Sequence, residues 1–157
     1  MPDDNQSYVS PSGLAGLPDW ASEAGLTIAH TRDGGLQCGI DIIEVERVRV
    51  AIERWGQRFL NRVWTEHEQR ICRGRFPELA ARFAGKEAVS KALGTGIVGL
   101  IWREIEILQD RRGKPLIFLH GAAHDRAESL GFTNMAISLS HTRVIACAMV
   151  VATGRNE

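Results

Sequence analysis

Apolar and polar residues fall into regular patterns at Leu36 and keep them almost to the end of the chain. The β-branched density of Leu36 to Ile43 predicts a buried strand. From Glu44 to Trp55 the period becomes helical, with Val45, Val48, Ile52 and Trp55 on one side, and Gly56 reads as the stop. Thr65 followed by Glu68 forms a capping box that opens a short helix to about Cys72. A longer helix is predicted from Arg75 or Pro77 to Leu93, ended by Gly94. Glu104 to Gln109 and Leu116 to Leu119 read as a hairpin across Asp110 to Gly113, with Pro115 near a strand start, where proline is tolerated. A helix from about Ala122 to Leu130 stops at Gly131. Asn134 to Ser140 alternates Met135, Ile137 and Leu139 with smaller residues, and Val144 to Val151 is a further apolar strand, making a second hairpin around His141, Thr142 and Arg143. Strands joined by hairpins, with helices between them, predict an α+β fold: an antiparallel sheet with packed helices, in a single domain over residues 37–152.

The first 36 residues differ. Pro2, Pro11 and Pro18 stand among glycines and serines with little periodicity, which predicts a flexible N-terminal extension; the competing reading is a short helix from Leu17 to Ala24 docked through Trp20. Residues 153–157 read as a C-terminal tail. The 157 residues are 44% hydrophobic, enough for one sizeable core. Nineteen basic residues balance nineteen acidic ones, so no global field points to nucleic acid or a membrane surface. Cys38, Cys72 and Cys147 are odd in number and lack zinc or CxxC spacing, which favours a reduced interior, with Cys38 and Cys147 simply packing. No uncharged apolar stretch approaches roughly 18 residues and no basic region precedes an apolar one at the N-terminus, so a soluble, cytoplasmic protein is expected.

Charge in the wrong place carries the chemistry. In the run RFAGKEAVSKALGTGI, from Arg82 to Ile97, helical geometry sets Glu87 and Lys91 one turn apart on the face that also carries Phe76, Ala80 and Phe83. Taking such a pair out of water costs several kcal/mol per ion, so a metal or phosphate partner becomes attractive. Asp41 lies inside an otherwise apolar strand and needs a cation as well. Asp41 with Glu87 would suit a hard divalent ion such as Mg2+, which takes one or two carboxylates and fills its octahedron with water and phosphate oxygens. The plainer alternatives are an aspartate capping the next helix and a surface ion pair between Glu87 and Lys91. Lys91, Lys86 and Arg82 have the character of phosphate ligands, and Gly94, Thr95 and Gly96 either admit a ligand close to the backbone or merely cap the helix. These glycines follow their helix, so they are no Walker loop. His141, between Ser140 and Thr142, is an anion contact or a turn histidine. His30, His67, His120 and His124 have no zinc spacing, and no nucleophile elbow is present.

These pieces, in this order, resemble the holo-[acyl-carrier-protein] synthases, the small type of 4'-phosphopantetheinyl transferase. The resemblance rests on Gly39 to Asp41 with the Glu44 to Arg47 segment and on the Thr65 to Glu68 box. It continues through Arg82, Phe83, Lys86, Glu87, Ala88, Ser90 and Lys91, then Gly94 to Gly96, Gly113 to Pro115 and Ser138 to His141, over residues 39 to 151. It implies a Mg2+-dependent enzyme that moves phosphopantetheine from coenzyme A to a serine of an apo acyl carrier protein and leaves adenosine 3',5'-bisphosphate. By the same resemblance Asp41 and Glu87 are the metal ligands and, with Lys91, the catalytic set. Arg82, Lys86 and His141 would contact coenzyme A, and Gly94, Thr95 and Gly96 would form part of the nucleotide pocket. Arg47 and Arg54, seven apart on one helix, would dock the acidic carrier protein. A homotrimer with the site between subunits is implied too. Three departures stand out: the 36-residue leader, Gly85 where alanine is more usual, and Trp64 where an aliphatic residue is common. A non-catalytic coenzyme A binding module and a phosphoesterase are the competing functions.

Overall fold

A computed structural model of the protein describes residues 35–96 and 99–154. All but the last two residues of the expected N-terminal extension, including the alternative helix around Trp20, lie outside the described residues, as do residues 155–157. The elements run β1 (Gln37–Glu44), α1 (Val45–Val63), α2 (Glu66–Cys72), α3 (Phe76–Ala92), a 3-10 turn (Trp102–Glu104), β2 (Ile105–Gln109), β3 (Pro115–Leu119), α4 (Gly121–Ser129), β4 (Phe132–His141) and β5 (Ile145–Gly154). Strands β1, β5 and β4 form an antiparallel sheet in that order, and β2 and β3 form a separate hairpin. The α+β reading holds, with β5 running two residues past the expected domain end. Among the described residues no helix is long and apolar enough to cross a membrane.

Helix α3 lies on the three-stranded sheet and can come close because its buried face is built of Ala80, Ala81, Ala84, Gly85, Ala88 and Ala92. The tightest point is Gly39 of β1: a Cβ there would lie 1.9 Å from the Ala88 carbonyl oxygen and 2.9 Å from the Ala92 nitrogen. Only a residue without a side chain fits. Gly85, on the same helix, likewise makes room for the Ile107 side chain, whose Cδ1 would stand 2.4 Å from an added Cβ.

Five expectations change. Strand β1 is not buried on both faces: Gly39 and Ile43 point inward, but Ile40 and Ile42 are 65% and 68% exposed, and Cys38 is exposed rather than packed. Met149 and Cys147 of β5 stand opposite Ile40 and Ile42, so the outer face of this sheet is largely apolar. Helix α1 does not end at Gly56, which only kinks it at φ 58°, ψ −143°, a conformation open to glycine; a second helical segment continues to Val63. The turn before the kink lies off the core, so Trp55, expected on the buried side, is exposed and stacks under Arg54, 4.9 Å from its ring centroid. His141 is the last residue of β4 rather than part of the turn, which Thr142 closes by donating its backbone N–H to Ile145 O (2.8 Å).

Candidate active site

Strand β1 and helix α3 bring the acidic residues together. Asp41 is two residues beyond Gly39 on the same face, where the close approach to Ala88 sets it beside the neighbouring turns of α3. There Lys91 Nζ donates to Asp41 Oδ1 and to the Ile40 carbonyl, each at 2.8 Å. The ion pair therefore joins Lys91 to Asp41 rather than to Glu87. Glu87 is half-buried and makes no hydrogen bond among the described residues. Burial, then the negative charge of Asp41, raise its carboxyl pKa, against the opposing pull of Lys91. Both acids line one cleft of about 390 Å³, together with Arg47 and an apolar wall of Ile43, Val48, Phe59 and Phe83. That wall is braced from behind, where Phe83 stacks on Trp102 with centroids 4.6 Å apart and packs against Trp64.

Two carboxylates facing one cleft, one of them raised by the other, form a site that a cation would relieve. Lys91 pairs directly with Asp41 and only pulls on Glu87 through its charge. Among the described residues no three His, Cys, Asp or Glu side chains converge as a metal cage. The donor set is an open one, suited to an ion that takes its remaining ligands from water or substrate.

Two residues expected at coenzyme A point into the protein within this chain. Lys86 is completely buried, its ammonium donating to Glu68 Oε2 (2.8 Å), Trp102 O (3.1 Å) and Ile105 O. Burial pulls its pKa down, opposed by the Glu68 carboxylate. One residue along a helix is a rotation of ~100°, so the neighbour of a cleft-lining Glu87 points into the protein instead. Arg82 is buried too and ties α3 to β2, its Nε donating to Ile107 O (3.1 Å) and its Nη2 to Gln109 Oε1 (3.2 Å).

The network around Lys86 was only partly readable. The capping box is present as expected, with Thr65 N–H on Glu68 Oε2 (2.8 Å) and Glu68 N–H on Thr65 Oγ1 (3.2 Å). The same carboxylate, however, also accepts from Ile107 N–H (3.0 Å), and Thr65 Oγ1 donates to Glu106 Oε1 (2.6 Å). Glu106 in turn meets His67 at 3.2 Å and His120 at 3.1 Å. Burial alone would raise its carboxyl, but the hydrogen bonds from Thr65, His120 and His67 outweigh it and hold the pKa down. Cys72 packs nearby as an inert thiol, pushed up to about 11 by burial.

Of the remaining candidates only Arg47 lines the cleft. Gly94 (φ 70°), Thr95 and Gly96 (φ 55°) reverse the chain after α3, with Gly94 N–H on Lys91 O (3.0 Å) and Thr95 N–H on Ser90 O (3.3 Å). His141 is exposed at the end of β4, opposite Ala146 of β5, which itself pairs with Ile43 of β1. It does not line the cleft within one chain. Arg47 does, and Arg54 is exposed further along α1.

A family model for the 4'-phosphopantetheinyl transferase superfamily matches residues 37–148, from the start of β1 into β5. The chain is 50% identical over 126 residues to the holo-[acyl-carrier-protein] synthase of Herpetosiphon aurantiacus, covering 76% of this chain and 99% of the relative. Its fold is similar to the crystal structure of Helicobacter pylori holo-[acyl-carrier-protein] synthase in complex with coenzyme A, with a TM-score of 0.68 and 32% identity over 74% of this chain and 99% of that one. It is also similar to the Bacillus anthracis synthase in complex with CoA (3',5'-ADP), with a TM-score of 0.62 and 33% identity over 76% and 96% of the two chains. A family match over residues 37–148, with 50% identity to a relative matched over 99% of its length, means that the chain belongs to the 4'-phosphopantetheinyl transferase superfamily.

Proposed function

We propose that this protein is a holo-[acyl-carrier-protein] synthase: it transfers 4'-phosphopantetheine from coenzyme A to a serine of an apo acyl carrier protein and releases adenosine 3',5'-bisphosphate. The observation that carries this is the cleft in which Asp41, Glu87 and Lys91 converge. In the reaction the serine oxygen bonds to the β-phosphorus, the bond from that phosphorus to the bridging oxygen breaks, and the serine proton is lost. Such a transfer asks mainly for alignment and neutralised charge.

Asp41 and Glu87 are the residues that would hold Mg2+. Bound there, the ion supplies charge neutralisation to the diphosphate. Lys91, half-exposed and already oriented by Asp41 and Ile40 O, adds a second positive charge on the open side of the same carboxylate. The apolar wall of Ile43, Val48, Phe59 and Phe83 limits water around the reacting groups. Arg47 at the cleft and Arg54 further along α1 would meet the acidic carrier and aim its serine at the cleft. The turn at Gly94, Thr95 and Gly96 would receive the nucleotide.

A homotrimer is part of this reading. It is supported by the apolar outer face of the sheet around Ile40, Ile42 and Met149, and by the separation of His141 from the cleft within one chain, which leaves His141 free to reach the coenzyme in a neighbouring subunit. The reaction would take place in the cytoplasm, where coenzyme A and carrier proteins meet.

The test is incubation with coenzyme A, Mg2+ and purified apo carrier protein, read by intact mass. A gain of one phosphopantetheine on the carrier supports the proposal. Coenzyme A bound but unconsumed, or consumed without a modified carrier, overturns it.

A further inference from the structure

Beside the glycine turn stands a cation that none of the assignments above uses. Arg126, on α4, reaches across to the end of α3 and donates its Nε–H to the Leu93 carbonyl at 3.2 Å. Leu93 is the C-terminal cap of α3, so this carbonyl carries part of the helix's negative end and a guanidinium is well placed on it. The side chain then continues along Gly94: its Nη2 lies 3.9 Å from where a Cβ of that residue would be. Nη1 and Nη2 have no hydrogen-bond or ion-pair partner among the described residues, so the fork is spent on the turn through Nε alone.

The turn needs such a brace. Two glycines with positive φ follow Leu93; the backbone N–H groups of Gly94 and Thr95 donate back into α3, to Lys91 O and Ser90 O, and among the described residues Gly96 O accepts only from Thr95 Oγ1 within the turn itself. Arg126 is a hold on this turn from another element, fixing where the chain leaves the helix that carries Glu87 and Lys91.

We propose that Arg126 is a positioning residue for coenzyme A: it pins the Leu93 to Gly96 turn in the conformation that receives the nucleotide. This rests on the reading of that turn as the nucleotide pocket. Arg126→Leu keeps most of the aliphatic packing and removes the hydrogen bond; Arg126→Lys keeps the charge. Steady-state kinetics are measured for both against coenzyme A and against the carrier, with the unfolding midpoint recorded for each protein. Losing a charge-assisted hydrogen bond to the turn raises the KM for coenzyme A by about 10-fold in Arg126→Leu. In the same variant kcat and the carrier KM stay within about two-fold, and Arg126→Lys recovers part of the loss. An unchanged coenzyme A KM overturns the proposal. So does a fall in kcat that tracks a lowered unfolding midpoint, which marks Arg126 as a simple staple between helices. A wild-type protein that fails to modify any carrier defeats the functional reading itself, whereas an active wild type with an indifferent Arg126→Leu defeats only this inference.

Discussion

Lys91 and Asp41, 50 positions apart in the chain, meet at 2.8 Å on the edge of the cleft that also holds Glu87. The lysine donates to two acceptors there and the second carboxylate, Glu87, has no donor among the described residues, an asymmetry from which the first prediction follows. Asp41→Asn and Glu87→Gln should each lower metal-dependent transfer by on the order of 100-fold or more while leaving the fold intact. The Lys91 side chain in its pair with Asp41 is about half-exposed, so loss of the pair should cost no more than about 1 kcal/mol of stability. Single-turnover transfer assays beside circular dichroism melts decide the matter; near-wild-type turnover in either variant would remove that carboxylate from the site.

The raised Glu87 carboxyl has a pH signature. Its folded pKa lies above the unfolded value through burial and the Asp41 charge, so ionisation costs stability and protonation restores it. Without metal, Glu87→Gln should therefore melt slightly above wild type at neutral pH, and the difference should shrink as pH falls through the folded pKa. Divalent binding competes with the same proton, so affinity for Mg2+ should weaken on acidification. Calorimetric titration of Mg2+ with coenzyme A across mildly acidic to neutral pH checks this, and affinity flat over that range would contradict it.

Lys86 and Glu68 are both fully buried and are bonded to each other and to backbone. Lys86→Met leaves a carboxylate buried without its counter-ion and should destabilise the protein by about 3–5 kcal/mol. Adding Glu68→Gln removes the stranded charge and should recover part of that loss. In urea melts the double variant is the informative one: if it is no better than Lys86→Met alone, the cost does not lie in the unpaired charge.

Gly85→Ala gains roughly 1 kcal/mol of helix propensity. It also forces the new methyl against Ile107 Cδ1 at 2.4 Å in a closed core, which costs about 1–3 kcal/mol. The single variant should be less stable than wild type, and Ile107→Val, which deletes the clashing atom, should turn alanine at 85 into a neutral or favourable change. Equal stabilities of the single and double variants would show that Ile107 rotates away freely.

Much of this fold could be read before the structure, for identifiable reasons. The capping box at Thr65 and Glu68, the proline opening β3 and the glycines after α3 and α4 are local signals, and each marks the element it should. What stayed hidden was direction. The apolar run of β1 looks the same whether its second face is covered by its own chain or left open, so Ile40 and Ile42 could not be told from core residues. The seven-residue spacing that set Trp55 with Val48 was correct as geometry, but periodicity does not say where the core beneath a helix stops. Among the charges of α3, composition marks Arg82, Lys86, Glu87 and Lys91 alike. The rotation of the helix sends Arg82 and Lys86 to β2 and Glu68, and Lys91 to Asp41. Glu106 and Arg126 were missed because their partners lie 41 and 33 residues away, beyond any local pattern.

Gly39 contributes no atom to the cleft, yet a single methyl group at that position would wedge against two backbone atoms that cannot rotate aside. Strand and helix would have to part, and Asp41 would ride outward with the strand, leaving Lys91 and Glu87 behind. The spacing between the two acids is thus governed by an empty place in the packing. A screen for lost activity would find that place among the silent glycines as readily as among the charged residues.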